Sequence, residues 1–411
     1  MEKIPQIVTH FTDNDSYSFS VQNYILHQYP NAEVKYQFFD RNKQVYPEGF
    51  ADLLKEQMEG MRNVVITDEE IEYMKKKMYY LPEWYYTFLK GFRFDPSELK
   101  ISQDENGYLS VDVKGKWWRT VLWEMPILST VSELSHILNG DIAMINPETE
   151  YQRAFDKAKM LFEGGCNTSE FGTRRRLSFD IQDVTIKALK DCAATQIYKG
   201  KLIGTSNVYL AMKHNLPISG TLSHQCISVE ECISGVHECN FSFMEKWSQC
   251  YGNDGSLGTM LFDTFGDKVF FDNITGRLAK IFDLRCDSGD ELKQVRNIVQ
   301  MYTRFGIDPR TKKVIFSNAL DGKKAVELHK EINDCVSDGY GIGTWLTCNF
   351  EATENVAPLP IKPMNIVVKV TEFRYTPKRH WIPCVKLSCD PSKSIGDPNK
   401  VEYLKHELGM K

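Results

Sequence analysis

The chain has 411 residues, of which 42% are hydrophobic and 26% charged, and its formal net charge is −5 at pH 7. A chain of this length buries a large core and is expected to form two or three domains. The negative charge gives no reason to expect nucleic acid, and no apolar run approaches the roughly 20 residues that span a bilayer. The first residues lack the features of a signal peptide, and eleven cysteines occur without paired spacing. These features favour a soluble cytoplasmic protein with reduced thiols.

The first 140 residues predict a mixed α+β region. Thr67 is a helix N-cap candidate before the helical spacing that begins at Asp68. Residues 109–123 alternate like two antiparallel strands that turn near Gly115. From about residue 145, short apolar strands alternate with helical stretches, which is typical of parallel βα units. Near the end, 364–372 and 382–387 predict two further antiparallel strands that return to the amino-terminal region.

Small, hydroxylated or acidic residues directly follow six predicted strands. They are Gly204-Thr-Ser206-Asn207, Gly220-Thr221-Leu-Ser-His224, Asp263, Asp287-Ser288-Gly289-Asp290, Ser317-Asn318-Ala-Leu-Asp321 and Gly339-Tyr-Gly341-Ile-Gly343-Thr344. In parallel α/β sheets and barrels the carboxyl ends of the strands form the ligand-binding face. We therefore expect these segments to converge on one pocket.

Three consecutive arginines, Arg174, Arg175 and Arg176, follow the turn Phe171-Gly-Thr. Adjacent guanidinium groups repel one another, and the planar fork of each fits carboxylate and phosphate oxygens. The triplet therefore indicates a site for a multiply charged anion. The alternative is a solvated surface.

The candidate residues in and near these segments each allow a functional and a structural interpretation. Asp287 and Asp290 are suited to Mg²⁺, ribose hydroxyls or a heteroaromatic nitrogen, but Asp-Ser-Gly-Asp is also a capped turn before a helix. His224 is either a general base or phosphate acceptor, or a structural histidine. Phe171 and Tyr17 either stack on a planar ligand or pack in the core.

In order and spacing, these motifs resemble the nicotinate phosphoribosyltransferases. The resemblance is carried by 170–176 (EFGTRRR), 204–207, 220–224, 287–290, 316–321 and 341–344, together with 13–17, 92–96, 124–128 and 362–367. It implies a type II phosphoribosyltransferase fold. Its parts would be a mixed α+β domain (1–140), an irregular α/β barrel (141–350), and a tail (351–411) whose strands and helix pack on the first domain. It also implies a homodimer with active sites completed across the interface.

The reaction implied by the resemblance joins nicotinate to phosphoribosyl pyrophosphate. The products are nicotinate mononucleotide and pyrophosphate, within NAD salvage. ATP hydrolysis would be coupled through a phosphohistidine, and Mg²⁺ would assist departure of the pyrophosphate.

Residue roles follow from the same resemblance. Phe171 and Tyr17, the latter from the partner subunit, would sandwich the pyridine ring. His224 would be phosphorylated, and Asp287 would lie near the ribosyl centre. The nicotinate carboxylate and the phosphates would meet Arg174, Arg175, Arg176 and Arg285. Further substrate contacts are expected from Ser206, Asn207, Ser288, Gly289, Asn318, Asp321, Gly341, Gly343 and Thr344, and metal contacts from Asp263 and Asp290.

Several positions differ from relatives. Ser206 stands where nicotinamide enzymes carry an aspartate, which favours the acid as substrate. Gln225 and Cys226 follow the histidine where many relatives have Glu-Trp, which predicts looser coupling to ATP. Two alternatives are a nicotinamide phosphoribosyltransferase and a binding or regulatory relative without turnover.

Overall fold

The chain is a mixed α/β protein with one antiparallel and one parallel sheet. The computed structural model describes residues 4–195, 197–220, 222–252, 257–389 and 394–410, so Thr221 of the fourth motif lies outside the described residues. The strands are β1 (Glu33–Asp40), β2 (Leu99–Gln103), β3 (Leu109–Lys116), β4 (Thr168–Glu170), β5 (Leu202–Thr205), β6 (Thr259–Leu261), β7 (Asp283–Cys286), β8 (Lys313–Phe316), β9 (Ser337–Ile342), β10 (Ile366–Arg374) and β11 (Ile382–Pro383).

Seventeen α-helices are found in the described ranges, and none of them is long and apolar enough to cross a membrane. They are α1 (Ser16–Gln28), α2 (Phe50–Gly60), α3 (Asp68–Lys77), α4 (Glu83–Gly91), α5 (Trp117–Thr120), α6 (Glu124–Leu138), α7 (Pro147–Glu163), α8 (Phe179–Ala194), α9 (Val208–His214), α10 (Gln225–Ser234), α11 (Cys239–Tyr251), α12 (Asp267–Asn273), α13 (Gly276–Ile281), α14 (Glu291–Arg304), α15 (Gly322–Ile332), α16 (Thr344–Thr347) and α17 (Pro398–Glu407).

The antiparallel sheet combines strands from both ends of the chain, in the order β11-β10-β1-β3-β2. Strand β10 pairs with β1 from Glu33↔Arg374 to Asp40↔Ile366. It also pairs with β11 through Glu372↔Pro383, which confirms the antiparallel strands predicted for the tail. The tail therefore shares a sheet with the amino-terminal region.

The predicted strand pair at 109–123 is wrong in its second half. Strand β3 ends at Lys116 and pairs with β2, whereas the chain from Trp117 onward is helical. Trp117, Val121 and Trp123 are all buried there, so tertiary packing overrides the β-preference of the aromatic and branched residues. The predicted cap before α3 is confirmed, because Thr67 Oγ1 accepts from Glu70 N and the Glu70 carboxylate accepts from Thr67 N.

All six strands of the other sheet are parallel, in the order β5-β4-β9-β8-β7-β6. Together with the first sheet they confirm the predicted fold class, although strand pairing in the described ranges does not join β5 to β6 into a closed barrel. The predicted strand at 217–219 is reduced to an isolated bridge between Thr205 and Ile218. Gly339 and Gly341, predicted in a loop, lie inside β9. The carboxyl ends of all six strands therefore lie at one edge of this sheet, where the candidate site lies.

Candidate active site

Phe171 follows β4 and lies against the end of β9. Its backbone N–H donates to Ile342 O at 2.9 Å. A Cβ atom on Gly341 would lie 2.3 Å from Phe171 Cε2, so glycine is what allows the ring to approach β9 so closely. The guanidinium carbon of Arg285 lies 5.8 Å from the centroid of the same ring. Phe171 thus lies within contact range of both Arg285 and Gly341.

The arginine triplet divides into three environments. Arg176 is fully buried and donates to both carboxylate oxygens of Asp13 at 2.7 Å. Arg175 donates from Nε to Ile366 O, and burial followed by repulsion from Arg174 lowers the pKa of Arg175 to about 10. Arg174 is partly exposed and lies 3.2 Å from a Glu124 oxygen. Arg174 is therefore the member of the triplet best placed to bind a ligand. Arg176 instead stabilises the fold through its ion pair with Asp13.

Tyr17 lies beside Arg174 of its own chain. Arg174 Nη2 donates to the Tyr17 hydroxyl at 2.7 Å, and that hydroxyl donates to Glu124 at 2.8 Å. Tyr17, Arg174 and Glu124 of one chain are thus linked by hydrogen bonds, and the delivery of Tyr17 to the site of a partner subunit, which the resemblance implies, stays a prediction. The aromatic ring is buried, with its face 5.7 Å from the Arg174 guanidinium carbon.

Ser206 and Asn207 join the end of β5 to the amino-terminal segment. The Ser206 hydroxyl donates to Asp15 Oδ1 at 2.7 Å, and Asn207 Nδ2 donates to Asp13 Oδ1 at 2.7 Å. Asn207 also caps α9 by accepting from Leu210 N. Burial raises the pKa of Asp15. The loop therefore brings a buried acid, paired with the Ser206 hydroxyl, to the end of β5.

His224 lies in a compact polar cluster at the carboxyl ends of β6 and β7. Its Nδ1 is 2.9 Å from Thr264 Oγ1 and its Nε2 is 3.1 Å from Asp287 Oδ2. Lys386 Nζ, from the tail, lies 2.9 Å from the same Nε2. Burial and then the Lys386 charge lower the pKa of His224 to about 4, against the opposing effect of Asp263 and Asp287. The imidazole is therefore neutral at pH 7, as a nucleophilic nitrogen must be.

Asp287 connects this cluster to Arg285. Arg285 Nη2 donates to Asp287 Oδ1 at 2.9 Å, and both side chains contact the hydroxyl of Ser317. Burial opposes ionisation of Asp287, but Arg285 and His224 hold its pKa well below the ordinary value. Asp287 is therefore a carboxylate at neutral pH.

Asp263 carries an oxygen suited to a metal. Its Oδ2 accepts from the Ser288 hydroxyl, whereas its buried Oδ1 has no hydrogen-bond partner among the described residues and lies 3.7 Å from His224 Nε2. Asp263, Asp287 and His224 form one group with metal-ligand spacing within the described ranges. Carboxylate oxygens are the ligands that Mg²⁺ prefers, so Asp263 and Asp287 fit this ion.

Two other predicted acids cap helices. Asp290 accepts from Lys293 N at the start of α14, and Asp321 accepts from Lys324 N at the start of α15. Asp290 is therefore a helix cap, the second of its two sequence interpretations. Its side chain is exposed, and among the described residues it does not belong to the group of His224, Asp263 and Asp287 that has metal-ligand spacing. Gly289 in the same turn has φ +88°, a conformation that favours glycine.

The remaining predicted contacts lie at two neighbouring strand ends. Asn318, after β8, donates to Gly289 O and Glu291 Oε1. Gly343 follows β9 as the N-cap of α16, which begins at Thr344, and a Cβ atom on Gly343 would lie 2.6 Å from Phe171 O. Both segments thus adjoin the Phe171–Arg285 pair or the Asp287 turn.

Three charged residues of the site had no role predicted from the sequence. Lys386 and Lys369 come from the tail, and Glu124 begins α6. Burial, followed by repulsion from Arg174, lowers the pKa of Lys369 to about 7. Glu124 lay inside the motif 124–128, but nothing local distinguished Lys369 or Lys386 from surface lysines. Gln225 has a different role, because its amide oxygen accepts from Tyr36 and Trp117 rather than contacting His224.

Fold and site together define an α/β protein whose arginines, carboxylates and buried histidine gather at the carboxyl ends of parallel strands. The family model described as nicotinate phosphoribosyltransferase (NAPRTase) matches residues 166–411, and the model of the NAPRTase N-terminal domain matches residues 12–132. The chain belongs to the nicotinate phosphoribosyltransferase family.

Individual relatives match over nearly their whole length. Nicotinate phosphoribosyltransferase of Chromohalobacter salexigens is 35% identical over 399 residues, 97% of each chain. The enzyme of that name from Desulforapulum autotrophicum is 35% identical over 392 residues, 95% of this chain and 96% of the relative. A crystal structure of nicotinate phosphoribosyltransferase from Porphyromonas gingivalis has a TM-score of 0.90 at 35% identity and covers 98% of this chain and 100% of its own.

Proposed function

We propose that this protein is a nicotinate phosphoribosyltransferase of NAD salvage, which forms nicotinate mononucleotide and pyrophosphate from nicotinate and phosphoribosyl pyrophosphate. We further propose that ATP hydrolysis is coupled to this reaction through a phosphohistidine at His224. The observation that carries the proposal is the continuous set of contacts from Phe171 through Arg285 and Asp287 to His224. This set joins a ring-binding face, a cation, a carboxylate and a neutral imidazole.

Phe171, Arg285 and Arg174 would bind nicotinate. The Phe171 ring offers a stacking surface for the pyridine ring, and the two arginines offer planar donors to its carboxylate. Arg285 is held by Ser317 and Asp287, and Arg174 is held by Tyr17, so both cations are oriented before the substrate arrives. Pre-orientation of this kind lowers the entropic cost of bringing the pyridine nitrogen in line with the ribosyl carbon.

Asp287 would stabilise positive charge that develops on the ribosyl group. As the bond to pyrophosphate breaks, the ribosyl carbon acquires oxocarbenium character, and a carboxylate at that point is favourable. The low pKa of Asp287 keeps this group ionised. Mg²⁺, held by Asp263 and Asp287, would supply charge neutralisation for the departing pyrophosphate.

His224 would accept the phosphoryl group of ATP. Its neutral imidazole nitrogen forms the N–P bond as the bond from phosphorus to the ADP oxygen breaks, and Thr264 holds the ring through Nδ1. Lys386 would pair with the phosphoryl oxygens. Because Gln225 is bonded to Tyr36 and Trp117, ring orientation depends on Thr264, Asp287 and Lys386 instead of the neighbouring residue.

The central test is product analysis of the purified protein with nicotinate and phosphoribosyl pyrophosphate, with and without ATP. We expect nicotinate mononucleotide in both reactions, more of it with ATP, and ADP formation that depends on the other two substrates. Nicotinamide is the competing substrate, and Asp15 beside Ser206 is the observation that favours it. Preferential formation of nicotinamide mononucleotide would overturn the substrate assignment, and no nucleotide product from either base would overturn the enzymatic one.

Assembly and location complete the proposal. A homodimer, the arrangement implied by the sequence resemblance, is testable by sedimentation of the purified chain. A cytoplasmic location, expected from eleven cysteines without paired spacing, is testable by fractionation. Active sites completed across the dimer interface, with Tyr17 delivered by the partner subunit, are part of the same proposal.

A further inference from the structure

Two cysteines from distant parts of the chain lie side by side, one on the helix that follows His224 and the other two residues before Lys386. Cys232 Sγ, in α10, is 3.6 Å from Cys384 Sγ, directly after β11, although 152 positions separate them. Both are free thiols, Cys384 buried and Cys232 partly buried. A disulfide requires an S–S distance of about 2.05 Å, so closure demands an approach of roughly 1.5 Å.

We propose that Cys232 and Cys384 form a reversible redox pair that a small peroxide converts to a disulfide. In the first step the Cys232 sulfur attacks one peroxide oxygen as its proton is lost, the O–O bond breaks, and Cys232 becomes a sulfenic acid. The departing hydroxide takes up the thiol proton and leaves as water. In the second step Cys384 sulfur attacks Cys232 sulfur, the S–O bond breaks, and water leaves with the Cys384 proton. Overall, two thiols and one hydrogen peroxide give one disulfide and two waters.

The surroundings assign the two steps to different cysteines. Cys232 is the partly exposed member of the pair, so it is the cysteine that a peroxide reaches. Lys400 Nζ and a Glu231 carboxylate oxygen lie 3.6 and 3.7 Å from its Sγ, and these two side chains are paired with each other. Cys384 lacks solvent access, so it is suited to resolve the sulfenic acid and not to meet the peroxide.

The pair is linked to the candidate site on both sides. Helix α10 begins at Gln225, immediately after His224, and Cys384 precedes Lys386 by two residues. Closing the disulfide therefore draws together the two segments that carry the 2.9 Å contact between His224 and Lys386. Because displacement of about 1 Å in a reacting group lowers a rate by up to about a hundredfold, we expect the oxidised form to lose ATP-coupled turnover. This consequence rests on the proposed function, whereas disulfide formation does not.

The first experiment maps the disulfide without any assay of activity. Full-length protein is treated with graded hydrogen peroxide, free thiols are alkylated, and peptides are analysed by mass spectrometry. We expect a peptide linked through Cys232 and Cys384 in the wild type and in Cys335→Ser, a control that removes an exposed cysteine. The linked peptide should be absent from Cys232→Ser. Dithiothreitol should reduce the disulfide of the wild type to two free thiols. Oxidation of Cys335 without any Cys232–Cys384 link would overturn the proposal.

The second experiment measures turnover of the same samples. We expect a loss of at least about tenfold in ATP-coupled product formation on oxidation of the wild type and recovery with dithiothreitol. Cys232→Ser and Cys384→Ser should resist the treatment. A linked protein with undiminished turnover would overturn the effect on the site. Reduced protein without turnover would overturn the proposed function and leave the mapped disulfide standing.

Discussion

Lys386 contacts His224 directly, with Nζ 2.9 Å from Nε2, although 162 positions separate the two residues. The lysine belongs to the tail, and the histidine precedes α10 after the β5 region. Lys386 also lies 4.0 Å from Asp263 Oδ2, so it compensates part of the negative charge of the two aspartates. The tail therefore contributes a cation to the parallel-sheet site as well as a strand to the antiparallel sheet.

Replacing Lys386 by methionine should impair phosphorylation of His224. The variant keeps the aliphatic stem but removes the charge that would pair with the phosphoryl oxygens, so we expect the rate of labelling from γ-labelled ATP to fall on the order of a hundredfold. Lys35→Met is a matched control, because Lys35 pairs with Glu372 on the antiparallel sheet. Acid-labile label on the two variants is the measurement. Equal labelling rates would show that Lys386 is only a structural neighbour of His224.

Lys157 should make the free energy of unfolding depend on alkaline pH. Its Nζ donates to Trp345 O and Asn349 O, and burial lowers the pKa of Lys157 to about 7. In the unfolded chain the pKa of the lysine is about 10.4, so between pH 7 and pH 10.4 the unfolded chain binds more protons than the folded chain. The contribution of Lys157 is therefore greatest above pH 10.4 and is lost as pH falls towards 7.

Urea unfolding at pH 7 and pH 9.5 tests this dependence. The wild type should gain stability with rising pH relative to Lys157→Met. Lys159→Met, on the exposed side of the same helix, should follow the wild type. Parallel curves for the wild type and Lys157→Met would mean that this lysine is charged at pH 7 in the folded chain.

The strand ends were predictable because local sequence determines them. An apolar run such as 313–316 followed by small polar residues identifies β8 and the loop after it, and the same pattern placed Asp263 and Asp287 at one edge of the sheet. What local sequence does not contain is the partner of each charge. Arg176 was grouped with the anion-binding arginines because its partner, Asp13, lies 163 positions away.

Two further errors have the same origin. Residues 117–123 have the composition of a strand, but their burial against the core selects a helix. Lys386 carries no local mark of function, because its role depends on the return of the tail to the His224 cluster. Asp290 is a different case, because Asp-Ser-Gly-Asp indicated both a metal ligand and a helix cap. The structure was needed only to show that Asp290 caps α14.

Substitution of Arg176 should mainly lower stability, whereas substitution of Arg174 should mainly weaken substrate binding. Arg176→Ala leaves Asp13 buried without its partner, so we expect a loss of about 3 to 5 kcal/mol in the free energy of unfolding. Arg174→Ala should instead raise KM for nicotinate with a smaller loss of stability, because the Arg174 side chain is 32% exposed. Urea unfolding and steady-state kinetics of both variants are the measurements. A stable Arg176→Ala with weakened substrate binding would reverse the assignment.

Gly341→Ala should disturb the ring face of Phe171. The added methyl group would lie 2.3 Å from Phe171 Cε2, so the ring must move away from β9. We expect KM for nicotinate to rise at least about fivefold, equivalent to about 1 kcal/mol. Gly91→Ala is the matched control, because its Cβ would meet no atom within 4 Å. Combining Gly341→Ala with Phe171→Leu should give less than the sum of the two effects, and strict additivity would contradict the contact.

Mixing two inactive variants should show whether one chain builds the whole site. Tyr17→Ala and His224→Asn are each expected to lose ATP-coupled turnover, since they remove the ring neighbour of Arg174 and the phosphoryl acceptor. In a dimer with shared sites, a hybrid carries both lesions in one site and none in the other, so activity returns on mixing. Because the sequence resemblance implies a site shared between subunits, we expect activity to return after the variants are unfolded and refolded together. Wild-type protein carried through the same refolding is the control. No recovery in the mixture would assign Tyr17 to the site of its own chain, where its hydroxyl contacts Arg174 and Glu124.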